Sequence, residues 1–129
     1  MAVYLDSSAA VKLIIREAES EALERWLQPH DMLASSALLR TEVFRAVRRG
    51  APRRLADARG ALAAFTLRVV DDEILEAAGD IAPSSIRLLD AIHLATALPL
   101  ANHLDAIVTY DRHMIEGARQ LGLHVASPA

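Results

Sequence analysis

The hydrophobic and polar positions along this chain predict short strands that alternate with helices. Residues 2–5, Ala-Val-Tyr-Leu, are apolar on both faces of the predicted strand, which is typical of a strand covered by helices on both sides of a parallel sheet. Further short apolar runs predict strands at 32–34, 67–70, 106–109 and, as a last edge strand, 124–126. The pattern therefore predicts an α/β fold with three layers, α/β/α, around a short and mostly parallel central sheet.

Apolar residues at helical spacing predict the helices between these strands. The predicted helices cover residues 9–15, 17–27, 37–50, 52–65, 73–81, 88–98 and 112–121. Pro52 suits a first helical position, and Gly122 suits the residue that ends the last helix. Ser84 and Ser85 are the predicted start signal of the apolar helix that contains Asp90.

Composition narrows the class of protein. The chain has 129 residues, 53% of them hydrophobic, which indicates one domain over residues 1–129 with a substantial core. The absence of cysteine excludes disulfide scaffolds, thiolate zinc sites and cysteine nucleophiles. No apolar run has the length of a membrane span and the N-terminus carries no signal-peptide pattern, so we expect a cytoplasmic protein. The formal net charge of −3 by itself gives no indication of a nucleic-acid partner.

Four acidic residues occupy positions that suggest chemistry. Asp6 follows the first predicted strand and Asp111 comes just after the strand at 106–109. Both therefore belong to the carboxyl edge of the sheet, where open α/β folds bind ligands. Asp90 lies inside an apolar segment, where an unpartnered ionised carboxylate is costly. Glu42 lies on the rim of an apolar helical stripe.

Each of these acids also has an ordinary structural explanation. Asp6 and Asp111 could cap the helices that follow them. Glu42 could pair with Arg45, three residues further along its helix. Asp90 fits such an explanation least well, because the serines before it offer a better helix start.

Taken together, the four acids predict a metal site. Carboxylates that converge on one sheet edge repel one another, and a divalent cation removes that conflict. With oxygen ligands and no cysteine, the site would select hard ions, Mg²⁺ or Mn²⁺, which also bind phosphate oxygens. Such ions activate water and stabilise the leaving oxygen in phosphodiester cleavage. The residues therefore predict metal-assisted phosphoryl chemistry.

Four parts of the chain resemble PIN-domain ribonucleases, and most closely the VapC toxins of bacterial toxin–antitoxin pairs. They are Tyr-Leu-Asp-Ser-Ser-Ala (4–9), Glu42 in the third predicted helix, Leu-Asp-Ala-Ile-His-Leu-Ala-Thr-Ala (89–97) and Val-Thr-Tyr-Asp (108–111). The block at 89–97 is the most specific of them. The resemblance covers essentially the whole chain in order and spacing.

The resemblance implies an activity, a site and partners. It assigns Asp6, Glu42, Asp90 and Asp111 to a catalytic metal site, with Ser8 as a hydroxyl that helps to organise the first loop. It implies a Mg²⁺- or Mn²⁺-dependent endoribonuclease that acts as a toxin on RNA. It also implies a homodimer, and a small VapB-type antitoxin that binds near the active site and neutralises the toxin.

Other polar clusters are weaker candidates. Asp71, Asp72 and Glu73 follow a predicted strand and open a helix, so helix capping and the helix dipole explain them. His93 shares a helical face with Asp90, but no two histidines have metal-ligand spacing. We therefore expect His93 to lie in the core or to hydrogen-bond to one of the acids, rather than to bind metal itself.

Positive charge is concentrated in one segment. Residues 40–59 contain seven arginines and two acids, although the whole chain is acidic. Arg45 and Arg49 share a helical face with Glu42, which predicts an RNA-phosphate surface beside the metal site. An ordinary solvated helix face is the alternative.

Two other functions stay open from the residues alone. A haloacid-dehalogenase-type phosphatase also begins with a strand and an aspartate, but it places a second aspartate two residues later, where this chain has Ser8. The other alternative is a non-catalytic α/β interaction module in which the acids serve as helix caps.

Overall fold

A five-stranded parallel sheet forms the centre of the protein in a computed structural model that describes all 129 residues. Its strands are Ala2–Leu5 (β1), Met32–Ser36 (β2), Phe65–Arg68 (β3), Leu104–Val108 (β4) and Val125–Ala126 (β5). The order across the sheet is β3-β2-β1-β4-β5, and every neighbouring pair is parallel. The predicted α/β architecture is confirmed, and β5 is an edge strand as predicted.

The strand order places a topological switch beside β1. The chain passes from β1 through β2 to β3 on one side and then crosses to β4 on the other side of β1. In open α/β sheets, connections that leave in opposite directions at such a switch open a crevice at the carboxyl ends of the strands. The carboxyl ends of β1 and β4 are therefore the expected place for a ligand site.

Seven α-helices accompany the sheet. They are Ser7–Ala10 (α1), Ser20–Leu27 (α2), Leu38–Gly50 (α3), Leu55–Ala63 (α4), Asp72–Gly79 (α5), Leu88–Ala97 (α6) and Arg112–Gln120 (α7). Short 3-10 turns extend them at Val11–Leu13, Pro52–Arg54 and Leu98–His103. None of the helices combines the length and the apolar character that crossing a membrane requires.

The side chains of β1 alternate between two cores, because successive residues of a strand point to opposite faces. Tyr4 packs on one face with Leu94 of α6 and Met114 of α7. Val3 and Leu5 pack on the other face with residues of α1 and α2. All three β1 side chains are fully buried, which confirms that this run is covered on both faces.

Two predicted helices are shorter in the structure. α2 begins at Ser20 rather than at residue 17. α4 ends at Ala63, and Phe65 begins β3 instead of ending a helix. Phe65 pairs with Leu33 of β2 and packs in the core. Pairing with a neighbouring strand is a tertiary contact that overrides the local helical pattern.

α6 begins at Leu88, as the apolar pattern predicts, but the serines do not cap it. Its N-cap is Arg87, with extended backbone angles (φ −65°, ψ 153°), and not Ser84 or Ser85. The serines lie in the turn before the helix, and Ile86, which follows them, packs against the core. This apolar contact separates the serines from the helix and leaves Asp90 in the first helical turn.

Truncation of a core side chain on α6 tests this packing. Leu94 is 0% exposed, so Leu94→Ala should lower the free energy of unfolding by about 3 kcal/mol. Leu88 on the same helix is 74% exposed, so Leu88→Ala should change it by less than about 0.5 kcal/mol. Urea unfolding of both variants measures the difference. Equal losses would contradict the described packing of α6 on the sheet.

Candidate active site

The pairing of β1 with β4 brings two distant parts of the sequence together. Leu5 lies opposite Val108 in the parallel register, so Asp6 and Thr109 leave the sheet side by side. The backbone amide of Asp6 donates to the carbonyl of Val108 at 3.3 Å. Asp111 follows two residues later and is the N-cap of α7. Asp6 and Asp111 are therefore both at the carboxyl edge of the sheet, as predicted.

Asp6 is 4% exposed and is surrounded by hydrogen-bond donors. Its Oδ1 accepts from the Ser8 hydroxyl at 2.6 Å and from the Ala9 amide at 3.2 Å, and its Oδ2 accepts from the Thr109 hydroxyl at 2.6 Å. The bond from Ala9 makes Asp6 the N-cap of α1, so the capping explanation holds for this residue. The Ser8 side chain does not cap the helix but orients the Asp6 carboxylate.

The electrostatic position of Asp6 is unfavourable for a lone charge. Burial raises the pKa of the Asp6 carboxyl, while hydrogen bonds from Ser8 and Thr109 act in the opposite direction. No arginine or lysine is among its hydrogen-bond partners. Since a buried carboxylate without a cationic partner is costly, a cation beside Asp6 would be stabilising.

Thr109 connects Asp6 to Asp111. Its side chain is fully buried, and its hydroxyl donates to Asp6 Oδ2 at 2.6 Å. The same oxygen accepts from the backbone amide of Asp111 at 3.2 Å. One hydroxyl therefore sets the position of one acid through its side chain and of the other through its backbone.

Asp90 and Asp111 share one basic residue. Arg87 donates from Nε to Asp90 Oδ2 at 3.1 Å and from Nη2 to Asp111 Oδ2 at 2.7 Å. Asp90 is not the N-cap of α6, but it lies in the first helical turn, where the positive end of the helix dipole stabilises an acid.

The Asp111 carboxylate is stabilised in its ionised form. Burial opposes ionisation, but hydrogen bonds from the Met114 amide, the Arg87 guanidinium and the His113 amide together hold the pKa of Asp111 below its usual value. The two amides bind Oδ1, at 2.8 Å from His113 and 3.3 Å from Met114. Asp111 therefore caps α7 with one oxygen and contacts Arg87 with the other.

Glu42 is held by a buried histidine and not by Arg45. His93 is 2% exposed, and its Nε2 lies 2.7 Å from Glu42 Oε1. Its Nδ1 lies 2.7 Å from the Tyr4 hydroxyl. A carboxylate only accepts, so His93 Nε2 donates to Glu42, while a hydrogen bond joins Nδ1 to the Tyr4 hydroxyl, whose pKa is raised by burial. His93 thus lies in the core and supports an acid from behind, as predicted.

The side chains of the four predicted metal ligands fall into three hydrogen-bonded groups. The groups are Asp6 with Ser8 and Thr109, Asp90 and Asp111 with Arg87, and Glu42 with His93 and Tyr4. No three His, Cys, Asp or Glu side chains are arranged to hold a metal ion in this conformation. The donor chemistry fits a hard divalent cation, since all four acids offer carboxylate oxygens and Asp6 is buried without a cationic partner.

The predicted RNA-binding arginines lie on the surface. Arg45 and Arg49 belong to α3, the helix that also carries Glu42, and both are exposed. Neither forms a salt bridge with an acid, whereas Arg54 in the turn after α3 pairs with Asp57. The two guanidinium groups are therefore available to an anion from solvent.

Comparison with known proteins identifies the family. The PIN-domain family model matches residues 3–120. Ribonuclease VapC46 from Mycobacterium tuberculosis (strain ATCC 25618 / H37Rv) is 48% identical over 129 residues, which cover 99% of this chain and 98% of that protein. The chain belongs to the VapC family of PIN-domain proteins. Ribonuclease VapC47 from Mycobacterium tuberculosis (strain CDC 1551 / Oshkosh) is 37% identical, over 98% of this chain and 96% of its own length.

Two solved structures share the fold of this VapC-family chain. A chain from a toxin–antitoxin complex of Klebsiella pneumoniae superimposes with a TM-score of 0.72 over 98% of both chains, at 18% identity. VapC20 from Mycobacterium tuberculosis, a toxin that cleaves the sarcin–ricin loop, superimposes with a TM-score of 0.72 over 88% of this chain and 93% of its own, at 15% identity. These likenesses establish the PIN-like fold.

Two residues of this VapC-family site were not singled out from the sequence. Thr109 belongs to the Val-Thr-Tyr-Asp segment. Its hydroxyl at the end of a strand, two residues before Asp111, was the sequence feature that could have indicated a role in the site. Arg87 stands three residues before Asp90, a spacing that permits a helical ion pair. Its second partner, Asp111, is 24 residues away in sequence, so no local pattern could predict this contact.

Removal of the Tyr4 hydroxyl tests the buried hydrogen bonds behind Glu42. Tyr4→Phe leaves His93 Nδ1 without its hydrogen-bond partner in the core, so the free energy of unfolding should fall by about 1–2 kcal/mol. Tyr110→Phe is the matched control, because the Tyr110 hydroxyl donates to the Pro128 carbonyl in a partly exposed place and its loss should cost less. Urea unfolding compares the two. A larger loss for Tyr110→Phe would contradict the described network.

Proposed function

We propose that this VapC-family protein is a metal-dependent endoribonuclease that acts as the toxin of a toxin–antitoxin pair. Its catalytic residues are Asp6, Glu42, Asp90 and Asp111, assisted by Ser8. The observation that carries the proposal is the buried Asp6 at the topological switch, joined through Thr109 to the residue that caps α7. Relatives of up to 48% identity are ribonucleases by name, which supports RNA as the substrate.

The proposed cofactor is Mg²⁺ or Mn²⁺, held by the four acids. Carboxylate oxygens suit these hard ions, and the chain contains no cysteine that would favour a softer one. When bound, such an ion makes a coordinated water more acidic and stabilises the charge that develops on the leaving oxygen of a phosphodiester.

The protein's own residues supply orientation. Ser8 and Thr109 hold the Asp6 carboxylate with one hydroxyl on each oxygen, so that its direction is set before a substrate arrives. His93 holds Oε1 of Glu42 and leaves its other oxygen without a protein donor. Glu42 would use that oxygen to complete the metal site or to position the attacking water.

The substrate-binding surface extends from the site onto α3. Arg45 and Arg49 are exposed, unpaired and on the same helix as Glu42, so they would contact RNA phosphates beside the cleaved bond. Aromatic residues make up 4% of the chain, which favours backbone contacts over base stacking.

The proposed partners follow from the family. Solved structures with this fold include a toxin–antitoxin complex from Klebsiella pneumoniae and VapBC2 from Rickettsia felis bound to a DNA fragment from their promoter. For this chain we propose a small VapB-type antitoxin that binds near the active site, and a homodimer that acts in the cytoplasm.

The two alternative functions have less support. In a haloacid-dehalogenase-type phosphatase, a carboxyl two residues after the first aspartate acts as a general acid. Ser8 stands there and donates its hydroxyl to Asp6 instead. A non-catalytic module agrees with the capping roles of Asp6 and Asp111, but it leaves the burial of Asp6 without a cation unexplained.

Asparagine substitutions test the assignment of the acids. With Mg²⁺ or Mn²⁺, Asp6→Asn and Asp90→Asn should each lower the rate of RNA cleavage about 100-fold or more, because each removes a charged ligand that stabilises the transition state. Asp71→Asn is the matched control, since Asp71 only caps α5 and asparagine caps equally well. Cleavage of total RNA measures all three. Wild-type rates for Asp6→Asn and Asp90→Asn would overturn the assignment.

Thermal unfolding tests the metal site without RNA. Because burial raises the pKa of Asp6 above its unfolded value, the metal-free fold loses stability as pH rises from the unfolded pKa through the folded pKa, and the cost is greatest once Asp6 is ionised. At a pH where Asp6 is ionised, metal-free Asp6→Asn should therefore melt at or above the wild-type temperature. Mn²⁺ at about 100 times its Kd should stabilise the wild type by about 2.7 kcal/mol and the variant much less. An equal Mn²⁺ shift for both would exclude Asp6 as a ligand.

A further inference from the structure

Arg87 is the only arginine or lysine that hydrogen-bonds to any of the four proposed metal ligands, and it bonds to two of them. Its Nε and Nη2 reach Asp90 and Asp111 at 3.1 and 2.7 Å. The Arg87 side chain is 56% exposed, while those of Asp90 and Asp111 are 14% and 31% exposed. The guanidinium therefore lies over the two carboxylates from the solvent side.

The oxygen atoms that Arg87 uses are those that a metal ion would need. Oδ1 of Asp111 accepts two amides of α7, so Oδ2 is the oxygen left for a cation, and Arg87 binds Oδ2. Asp90 also contacts Arg87 through Oδ2. A guanidinium and a metal ion cannot occupy the same lone pairs at the same time. Arg87 therefore competes with a metal ion for these carboxylates, both for lone pairs on the Oδ2 atoms and through the repulsion between two positive charges.

We propose that Arg87 is an internal competitor of the catalytic metal and, once displaced by it, a binding residue for the RNA phosphate. This inference rests on the proposed function and adds a residue and an order of events to it. In the metal-free protein, Arg87 holds Asp90 and Asp111 together. With a metal ion bound, Asp90 and Asp111 would hold it with these oxygens, and the Arg87 guanidinium would turn to the substrate.

The displacement is feasible because the contacts are exposed. Ion pairs at a protein surface contribute little, since water solvates the separated charges well and long side chains lose freedom when they are held. A divalent cation bound by Asp90 and Asp111 would attract these carboxylates with two positive charges, whereas the Arg87 guanidinium carries one. Arg87 can leave without disturbing the core, because its backbone lies at the N-cap and only its side chain crosses to Asp111.

The released guanidinium stays beside the metal and suits a phosphate. Arg87 is tethered at the start of α6, three residues before Asp90, so its head remains within one side-chain length of the proposed metal site. Guanidinium groups bind phosphate oxygens with two parallel hydrogen bonds, as they bind carboxylates. An RNA phosphate on the metal would therefore meet both the metal and Arg87.

Calorimetric titration with Mn²⁺ in the absence of RNA tests the competition. Arg87→Gln removes the competing charge, so it should bind Mn²⁺ about three- to tenfold more tightly than the wild type. Arg112→Gln is the matched control: Arg112 is exposed, directly follows Asp111 and forms no salt bridge, and its replacement changes the formal charge equally. This control should bind Mn²⁺ as the wild type does.

RNA cleavage at saturating Mn²⁺ tests the second role. Arg87→Gln should raise KM for RNA about tenfold or more, because a charge-assisted contact to the phosphate is lost. Arg87→Lys keeps the positive charge but not the paired hydrogen bonds of a guanidinium, so its KM for RNA should lie between those of Arg87→Gln and the wild type. Arg112→Gln should keep the wild-type KM. Circular dichroism melting checks the fold, and if Arg87→Gln does not fold, Arg87→Lys should show both effects in reduced size.

The outcomes separate this inference from the proposed function. If the wild type binds Mn²⁺ and cleaves RNA while Arg87→Gln changes neither value, Arg87 is an ordinary surface ion pair and the inference is wrong. An equal gain in Mn²⁺ affinity for Arg112→Gln also overturns it, since net charge would then be the cause. If the wild type neither binds Mn²⁺ nor cleaves RNA, the proposed function fails and the inference fails with it.

Discussion

The candidate site depends on the parallel pairing of β1 with β4. The two strands are about a hundred residues apart in sequence, and their register aligns Leu5 with Val108. This alignment allows the Thr109 hydroxyl to reach the Asp6 carboxylate and the Asp111 backbone. The pairing is secured by burial of β1 on both faces, so the core of the fold and the geometry of the site have the same cause.

Negative charge at the sheet edge is handled in three ways. Asp6 is surrounded by hydroxyl and amide donors, Asp90 and Asp111 share an arginine, and Glu42 is bound by a histidine that Tyr4 orients. Of these hydrogen-bond partners, only the arginine and the histidine carry or can carry a positive charge, and neither bonds to Asp6. Asp6 is also the most buried of the four acids, and this imbalance is the physical reason to expect a cation there.

The acids of the site were visible in the sequence, but the groups that hold them were visible only in part. Asp6 and Asp111 follow apolar runs, and Asp90 interrupts one, so each contrasts with its local neighbours. Their helix-capping and first-turn roles turned out to be real as well. The pattern therefore located the acids without separating structural from chemical roles, because a helix N-terminus and a ligand site both favour a carboxylate.

The sequence by itself determined the α/β class, the buried first strand and the acids at the strand ends, because periodicity and apolar runs are local properties. Tertiary structure decided the partners of those acids. Phe65 joined a strand because Leu33 was there to pair with it. Arg87 reaches Asp111, 24 residues away in sequence, because the helices that they begin, α6 and α7, pack against each other. Contacts between residues far apart in the chain depend on packing geometry, which a linear pattern does not contain.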